Sequence, residues 1–391
     1  MKVLHVYRTY FPDSQGGLEE VVRQICFNAR AQGVESRVFT LSDKPEPAVI
    51  NSVEAQIVRV KKTFEIASSG FSLAGFAEFR RQAAWADIVH FHFPWPFADL
   101  LNKALPKGKP ALITYHSDIV RQRILKWVYW PLMRDFLSSV DQIVATSPNY
   151  RASSKTLANY GHKLTTIPIG ITESSYLQRG DYTLQLAEVE DSFGQGFFLF
   201  IGVLRYYKGL PILLKAIKNA PYKVVIAGTG PAEQELLALA KTLALDNVVF
   251  TGFVSDEMKM ALLQSCRGVV LPSHLRSEAF GVTLLEGAMC GKPLISAEVG
   301  SGTSYINIDG ETGRVVKPGN VEALRQAMDE LYNNSKWAVE LGTAARARYE
   351  ALFTGEKMGK AYSALYATLC DVDISKLKPL QCNSKPVTVC E

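Results

Sequence analysis

The sequence predicts two doubly wound α/β domains, each built on a parallel sheet. Its 391 residues exceed what one compact core usually holds, so two domains are expected. Short β-branched runs alternate with helical patterns almost throughout, which is typical of parallel sheets covered by helices on both faces. The alternation restarts near Phe197, after a polar stretch of weak periodicity, and we place the join between the domains there.

The first half of the chain contains the pattern of one such domain. Apolar residues from Leu18 to Ala29 recur at helical spacing, and Gly33 is a suitable C-terminal cap. Further helices are predicted over 73–85 and 119–137. The predicted strands are 2–7, 37–41, 56–60, 87–93, 110–115, 141–146 and 164–168.

The second half repeats the pattern. Helices are predicted over 210–219, 232–244, 256–265, 282–290 and 321–332, and a long helical tract over 340–369 breaks near 353–355. The predicted strands are 197–201, 222–227, 247–251, 268–271, 293–296 and 314–317. The predicted segments are therefore a first domain over 1–170, a linker over 171–195, a second domain over 196–350, a C-terminal helix over 351–370 and a disordered tail over 371–391.

Composition narrows the classes of function. Hydrophobic residues make up 47% and charged residues 21%, as in ordinary soluble proteins. The net charge of +5 suits an anionic ligand or membrane surface but is low for a nucleic-acid binder, so no nucleic-acid partner is expected. No apolar run is long enough to span a bilayer, no signal peptide is evident, and the six scattered cysteines fit a reducing cytoplasm.

The stretch Ser277–Pro293 contains two glutamates, Glu278 and Glu286, eight positions apart. Gly281 precedes a predicted helix whose N-terminus offers free backbone N–H groups to an anion. One carboxylate lies just before this helix and the other about one turn inside it. Together they could bracket a diphosphate and accept hydrogen bonds from sugar hydroxyls. The alternative is a helix cap followed by a solvated helix residue, which the apolar neighbours of Glu286 disfavour.

Two further segments follow predicted strands in the second half. Arg205 and Lys208 lie in one post-strand loop, where two cations suit a diphosphate leaving group, although two exposed loop cations are the simpler interpretation. Gly228 and Gly230 begin a G-x-G pattern whose sixth position is Glu233, so the dinucleotide fingerprint fails. A turn against a nucleotide and a plain strand-to-helix turn both remain open there.

The first half contains fewer candidates. Gly16 and Gly17 lie between the first strand and first helix, where backbone can approach a phosphate. His116 ends a strand and could donate a hydrogen bond to a substrate oxygen, or be structural. His90 and His92 share one face of a strand, but no accompanying ligand motif supports a metal, and no metal site is predicted.

The segment from Arg121 to Leu137 combines basic residues with Trp127, Tyr129 and Trp130. Such helices can lie in a membrane interface. A partly buried helix with a solvated basic edge explains the pattern equally well.

Taken together, these motifs resemble the retaining glycosyltransferase family four, which has the GT-B fold. The resemblance covers most of the chain and rests on Gly16-Gly17, His116, Lys208-Gly209, Glu278-x7-Glu286 and the block GETGRVV at 310–316, together with PSHLRSE, GKP, IAGTGP and VVFTGFV. It implies two Rossmann-like domains facing a central cleft, with the helix over 351–370 crossing back to the first domain.

The resemblance also implies roles for individual residues. His116 and Glu278 would bond the donor sugar, and Arg205 and Lys208 would hold the diphosphate. The family often has a cation at the position of Val203, and Arg205 is the candidate replacement. The remaining ligand contacts implied are Gly16 and Gly17 with phosphate or acceptor, Phe280, Gly281 and Val282 through backbone N–H groups, Glu286 with the ribose, and Gly252 and Val254 with the base.

The resemblance is greatest to bacterial O-antigen mannosyltransferases. It implies transfer from GDP-mannose to a saccharide on undecaprenyl diphosphate, with retained configuration, at the cytoplasmic face of the inner membrane. The segment from Arg121 to Leu137 would suit that lipid acceptor. A front-face displacement needs no cofactor or metal if cations and a helix N-terminus stabilise the leaving group. Neutralising Glu278 or Lys208 should then lower turnover far more than stability.

Other functions remain open from the sequence. A UDP-sugar-dependent transferase or a GT-B nucleotide-sugar epimerase could share the fold and the nucleotide site. A non-catalytic sugar-binding protein would usually need an export signal. A dehydrogenase is weaker still because the fingerprint fails at Glu233.

Overall fold

The computed structural model describes residues 1–66, 69–119, 123–176 and 182–380, and only the backbone of residues 123–128. The chain divides into two compact units. The first comprises Met1–Thr146, Ser154–Ile169 and the chain from Gly355 onward. The second comprises Ser147–Ser153 and Gly170–Thr354.

Strands and helices alternate through both units. The strands are β1 (Lys2–Val6), β2 (Glu35–Ser42), β3 (Val49–Asn51), β4 (Gln56–Lys61), β5 (Phe64–Ile66), β6 (Ser69–Phe71), β7 (Ile88–Phe93), β8 (Ala111–Tyr115), β9 (Gln142–Ala145), β10 (Leu164–Thr166), β11 (Phe198–Ile201), β12 (Val224–Ala227), β13 (Val248–Gly252), β14 (Gly268–Leu271), β15 (Leu294–Ala297) and β16 (Gly313–Val316). The helices are α1 (Gly17–Arg30), α2 (Gly75–Trp85), α3 (Pro96–Asn102), α4 (Arg123–Ser139), α5 (Pro148–Ser153), α6 (Thr183–Phe193), α7 (Leu210–Ala216), α8 (Glu233–Thr242), α9 (Asp256–Ser265), α10 (Val282–Met289), α11 (Thr303–Ile306), α12 (Val321–Asn333), α13 (Ser335–Leu352) and α14 (Gly355–Leu369).

The first unit is built on an eight-stranded sheet in the order β10-β9-β8-β7-β1-β2-β4-β3. Its strands pair in parallel except for the edge strand β3, which is antiparallel to β4. β7 is buried along its whole length, as expected for a central strand covered on both faces. The strand order reverses between β1 and β7, so the loops after these strands diverge there.

The second unit has a fully parallel sheet in the order β13-β12-β11-β14-β15-β16. Counted from β11, this is the strand order of a Rossmann domain, and its reversal lies between β11 and β14. The predicted fold class of two doubly wound parallel α/β domains is therefore confirmed.

The C-terminal helix α14 belongs to the first unit. It packs against α1 so closely that a Cβ on Gly359 would lie 2.6 Å from Cβ of Asn28. Its hydroxyls also reach the sheet: Tyr362 Oη is 2.7 Å from Thr114 Oγ1, and Tyr366 Oη is 2.7 Å from His90 Nδ1. α13 ends at Leu352 and α14 begins at Gly355, so the break predicted near 353–355 lies between them.

Several features differ from the sequence predictions. The periodicity did not predict the short elements β3, β5, β6, α3, α5 and α11. It also did not predict α6, which occupies part of the predicted linker and packs against α9. The segment Ser147–Ser153 groups with the second unit, although the predicted first domain ran without interruption to residue 170.

The predicted disordered tail is also partly wrong. Residues 374–376 form a short 3₁₀ turn, and the Leu380 backbone N–H donates to Arg30 O at 3.3 Å. Gly33 has a positive φ of 82° and no Cβ, which leaves room for the carbonyl of Lys378. The remainder of the tail, 381–391, lies outside the described residues.

Candidate active site

The strongest candidate site lies in the second unit, where the strand order reverses. The loop after β11 contains Arg205 and Lys208, and the loop after β14 contains Glu278. Because β11 and β14 are neighbours, these loops meet. Gly209 permits the contact: its φ is 73°, and a Cβ there would lie 2.0 Å from the Pro272 carbonyl oxygen. Ligands of open α/β sheets bind at such a reversal.

Lys208 and Glu278 form a largely buried ion pair. Lys208 Nζ lies 2.5 Å from Glu278 Oε2, and their side chains are 12% and 9% exposed. The hydroxyl of Ser273 donates to the same carboxylate oxygen at 3.1 Å. A carboxylate has about four acceptor positions, so two donors leave capacity for a ligand hydroxyl.

Electrostatics keep Lys208 charged. Burial alone would lower the pKa of Lys208, but the Glu278 carboxylate, the Tyr207 hydroxyl and the hydrogen bond to Glu278 outweigh it, and the net shift is upward. The charge of Arg205 acts in the opposite sense on the same pKa. Arg205 itself is exposed. Two cations and one carboxylate therefore leave an excess of positive charge, which suits an anionic ligand.

The start of α10 lies beside this ion pair. Gly281 caps the helix with a φ of 94°, a conformation that favours glycine. The Thr283 hydroxyl donates to Ile201 O at 2.9 Å and so ties the helix start to the end of β11. The Phe280 side chain is buried, and its ring packs edge-on against Phe353. Contacts between a ligand and the N–H groups of Phe280, Gly281 and Val282 remain a prediction.

Glu286 lies one turn inside α10 and is also buried, so it is not a solvated helix residue. Lys259 of α9 reaches its Oε1 at 3.1 Å. The same ammonium lies 4.4 Å from the ring centroid of Tyr176. Lys259 and Tyr176 were not predicted, because nothing in the local sequence indicates that α9 faces α10. Ribose binding by Glu286 remains a prediction.

The glycines of the G-x-G pattern have a structural explanation. A Cβ on Gly228 would lie 2.2 Å from Gly202 O, and one on Gly230 would lie 2.5 Å from Leu204 O. The loop after β12 therefore packs backbone to backbone against the loop after β11. This supports the interpretation of a strand-to-helix turn.

The turn that follows β13 presents an aromatic ring to solvent. Gly252 has a φ of 69°, and Val254 is half-buried. Phe253 between them is 63% exposed. Gly228 donates its backbone N–H to Gly252 O at 2.7 Å, which places this turn beside the loop after β12. The turn was predicted as a base contact through Gly252 and Val254 but not through Phe253, whose only signal in the sequence is an aromatic residue in a post-strand turn.

In the first unit, the loop after β1 is organised around a carboxylate. Glu19 accepts hydrogen bonds from the hydroxyls of Thr9 and Ser14, each at 2.8 Å. Gly16 precedes α1, and a Cβ there would approach Glu19 Oε2 at 2.7 Å. Gly17 is the exposed first residue of α1. The helix start is therefore open to solvent, while phosphate or acceptor binding there remains a prediction.

His116 joins a cluster of buried histidines in the first unit. Its Nε2 lies 3.0 Å from His92 Nδ1, and His92 Nε2 lies 3.1 Å from His5 Nδ1. Burial lowers the pKa of His116 and of His5 to about 3, so both are neutral at pH 7. Burial likewise lowers the pKa values of His90 and His92, and the neighbouring histidines lower them further. The shared face of His90 and His92 was predicted from their alternation along one strand, but the contact between His92 and His116 was not.

Three of these histidines could in principle approach one metal ion. Nitrogen atoms of His5, His90 and His92 all lie within 4.8 Å of one another. However, both ring nitrogens of His90 are already hydrogen-bonded, Nδ1 to Tyr366 at 2.7 Å and Nε2 to Thr114 at 2.6 Å. Both ring nitrogens of His90 are therefore engaged in hydrogen bonds and are not available to bind a metal ion.

The predicted membrane-facing segment is only partly described. Arg121 and Gln122 lie outside the described residues, as do the side chains of 123–128. Tyr129 faces inward and donates its hydroxyl to Asp99, whose pKa is raised to about 8 by burial. Trp130 is 37% exposed. Among the described helices, none has the length and apolarity to cross a membrane.

Comparison with known proteins gives two family matches. The model described as Glycosyltransferase Family 4 matches residues 15–175, and the model described as Glycosyl transferases group 1 matches residues 187–348. Together they match parts of both units and leave β1 and α14 outside.

Two curated proteins resemble most of the chain. The D-rhamnosyltransferase WbpZ of Pseudomonas aeruginosa is 50% identical over 354 residues, which are 90% of this chain and 92% of that protein. The O-antigen chain mannosyltransferase C of Escherichia coli is 46% identical over 371 residues, which are 95% of this chain and 99% of that protein. Among solved structures, Anabaena Alr3699/HepE in complex with UDP-glucose aligns with a TM-score of 0.75 at 18% identity, covering 94% of this chain and all of that one, and shows the shared fold.

Proposed function

Because the chain belongs to glycosyltransferase family four and is a GT-B glycosyltransferase of the O-antigen type, we propose that it transfers mannose from GDP-mannose to a saccharide on undecaprenyl diphosphate. The product would be a lipid-linked O-antigen chain extended by one sugar. The relative from Escherichia coli, named as a mannosyltransferase, supports mannose as the sugar.

The observation that carries the proposal is the ion pair between Lys208 and Glu278 where the strand order reverses. A nucleotide sugar places its diphosphate directly beside its sugar. A cation adjacent to a carboxylate matches that order, since the ammonium can bind phosphate oxygens while the carboxylate accepts sugar hydroxyls. The start of α10 adds backbone N–H groups for the same anion.

The proposed step is a displacement on one face of the sugar. The acceptor oxygen bonds to the anomeric carbon as the bond from that carbon to the diphosphate oxygen breaks. The leaving diphosphate oxygen takes the acceptor proton, and configuration is retained because both events share a face. Lys208, with Arg205 from the same loop, would offset the negative charge that grows on the diphosphate. This mechanism predicts transfer that is insensitive to EDTA.

D-Rhamnose is the second candidate sugar, because the relative from Pseudomonas aeruginosa is named as a D-rhamnosyltransferase. D-Rhamnose is 6-deoxymannose, so the two donors differ by one hydroxyl group. A site that hydrogen-bonds this hydroxyl would reject the deoxy sugar strongly, whereas an apolar pocket would discriminate only weakly.

Binding of bare nucleotides separates the donor classes first. Thermal shifts with GDP, UDP, ADP and NAD need no acceptor, and a ligand at about 100 times its Kd adds about 2.7 kcal/mol to stability. We expect a shift with GDP. A shift with UDP alone would indicate a UDP-sugar donor, and a shift with NAD alone would contradict a transferase.

Transfer is then measured with the full chain, GDP-mannose or GDP-D-rhamnose, and undecaprenyl diphosphate-linked saccharides, with and without EDTA. Extension of the lipid-linked saccharide from either GDP-sugar supports a transferase, and the better donor identifies the sugar. Donor conversion without acceptor would instead indicate an epimerase. Lys208→Ala should lower the rate of transfer. Its matched control is Lys218→Ala, which removes an exposed cation near α7.

A further inference from the structure

We propose that His5, His92 and His116 form a hydrogen-bonded chain that fixes the tautomer of His116, so that His116 presents its Nδ1–H as a donor. His5 and His92 are then positioning residues. The consequence for transfer rests on the proposed function and on the role that the family resemblance implies for His116, a hydrogen bond to the donor sugar. The tautomer of His116 is a property of the protein without ligand and can be measured there.

The sheet register builds this chain. His5 lies in the middle of β1 opposite His90 of β7, and His92 follows on the same face two residues later. His92 pairs with Thr114 of β8, and His116 follows Thr114 by two residues, so it faces the same side. Neighbouring rings stack, with centroids 5.4 Å apart for His5 and His92 and 5.3 Å apart for His92 and His116.

The hydrogen bonds between His5 and His92 and between His92 and His116 must be donated in the same direction. A neutral imidazole has one N–H and one lone pair. His92 uses both nitrogens, so it donates to one neighbour and accepts from the other. Either protons point from His5 toward His116, or all of them point the other way. The low pKa values of these histidines exclude an imidazolium that could donate at both nitrogens near pH 7.

The end of the chain at His5 decides between the two directions. His5 is fully buried, and within the described residues its Nε2 has no hydrogen-bond partner. If protons pointed toward His5, this atom would be a buried N–H without an acceptor. Among buried backbone groups, N–H groups without partners are rarer than unpaired acceptors, and we apply the same preference to the imidazole. The favoured arrangement therefore has His5 Nδ1–H donating to His92, His92 Nδ1–H donating to His116 Nε2, and the proton of His116 on Nδ1.

His90 supplies an internal control. It is buried in the same cluster and stacks on His92 with centroids 4.3 Å apart. Its two nitrogens bond Tyr366 and Thr114, so it takes no part in the chain. A substitution there disturbs the packing of the cluster without removing a link to His116.

The test is nitrogen-15 NMR of histidine-labelled full chain, which distinguishes the two neutral tautomers by their ring-nitrogen shifts. The chain has six histidines, so each signal can be assigned by single substitution. We expect His116 in the Nδ1–H form. The opposite tautomer in the wild-type protein would overturn the proposal without any variant having to fold.

Two substitutions of His5 then test the link. In His5→Leu the donor to His92 is lost, and we expect the His116 signals to shift toward a mixture of tautomers. The kcat of transfer should fall about tenfold, equivalent to about 1.4 kcal/mol. In His5→Asn the side-chain amide can donate in place of Nδ1, so tautomer and kcat should return toward wild type. His90→Leu should lower the melting temperature and leave both unchanged.

The outcomes separate this proposal from the proposed function. An unchanged His116 tautomer in His5→Leu overturns the chain, and so does stoichiometric zinc binding that requires His5 and His92. A shifted tautomer with unchanged kcat overturns the positioning role. Neither result affects donor binding and transfer that depend on Lys208 and Glu278.

Discussion

Replacing Lys208 by methionine and Glu278 by glutamine, singly and together, separates what the ion pair does for folding from what it does for transfer. The two atoms are 2.5 Å apart. At an effective dielectric constant of about 20, unit charges at that distance attract by about 7 kcal/mol. Desolvating two charges costs several kcal/mol each, so the attraction is largely cancelled in the folded protein.

The single variants should therefore be less stable than the double variant. Lys208→Met leaves the Glu278 carboxylate with Ser273 as its remaining donor in the described structure, and loss of one partner of a buried pair costs about 3–5 kcal/mol. Glu278→Gln leaves the Lys208 ammonium without its counter-charge and should cost a similar amount. In the double variant neither charge remains, and the free energy of unfolding should return to within about 1–2 kcal/mol of wild type. This differs from the sequence-based expectation that neutralising either residue lowers turnover far more than stability.

Transfer should not recover with stability. If Lys208 stabilises the leaving diphosphate, removing it lowers kcat by about 10²–10³-fold, the effect of losing one preorganised donor. The assays are urea unfolding for stability and initial rates with saturating GDP-mannose for kcat, with Lys218→Met as the control for an exposed lysine. A double variant that regains both stability and kcat would refute the reasoning, because the pair would then be structural alone.

Three further predictions use other parts of the structure. Phe253→Ala should raise the KM for the donor about 5- to 150-fold at unchanged kcat, as expected for loss of about 1–3 kcal/mol of base stacking. Leu237→Ala, which truncates a similarly exposed apolar side chain, should not raise it, and equal KM values for Phe253→Ala and the wild-type protein would contradict stacking. Gly209→Ala should lower stability by at least about 1–2 kcal/mol and reduce donor binding, because its φ is 73° and the new Cβ would meet the carbonyl oxygen of Pro272. A melting temperature equal to that of the wild type would contradict the close approach of the two loops. Acid should destabilise the fold between pH 6.5 and pH 3, because the pKa values of His5 and His116 are depressed to about 3 and the unfolded chain therefore binds those protons first. At pH 5.5 each of these two histidines should lower the free energy of unfolding by about 1.4 kcal/mol. Urea midpoints that do not change between pH 7 and pH 5.5 would contradict this prediction.

The sequence predicted regular elements well where a pattern had enough length to be recognised. The ten-residue helix α9, for example, has the bounds that periodicity indicated. The missed elements are short or weakly patterned. β5 and β6 have three residues each, and their identity as strands depends on pairing with each other. α6 becomes a helix that packs against α9, although its own sequence shows little amphipathic signal.

The candidate residues themselves could be named from the sequence because they follow strands. Their partners could not. Glu286 was predicted as a ligand contact, but its pairing with Lys259 depends on how α9 and α10 pack, which neither helix specifies alone. The pairing of Lys208 with Glu278 likewise joins residues separated by 70 positions.

In both units, strand order explains the long-range contacts. A doubly wound sheet places its first strand beside one that comes much later in the chain, on the other side of the reversal. In the second unit this puts the loop after β11 against the loop after β14, and the charged pair is the result. In the first unit it puts β1 against β7, and so brings His5 to His92 across 87 positions. Spacing along the chain therefore identifies which residues end strands, while the order of the strands determines which of those residues form hydrogen bonds and ion pairs with one another.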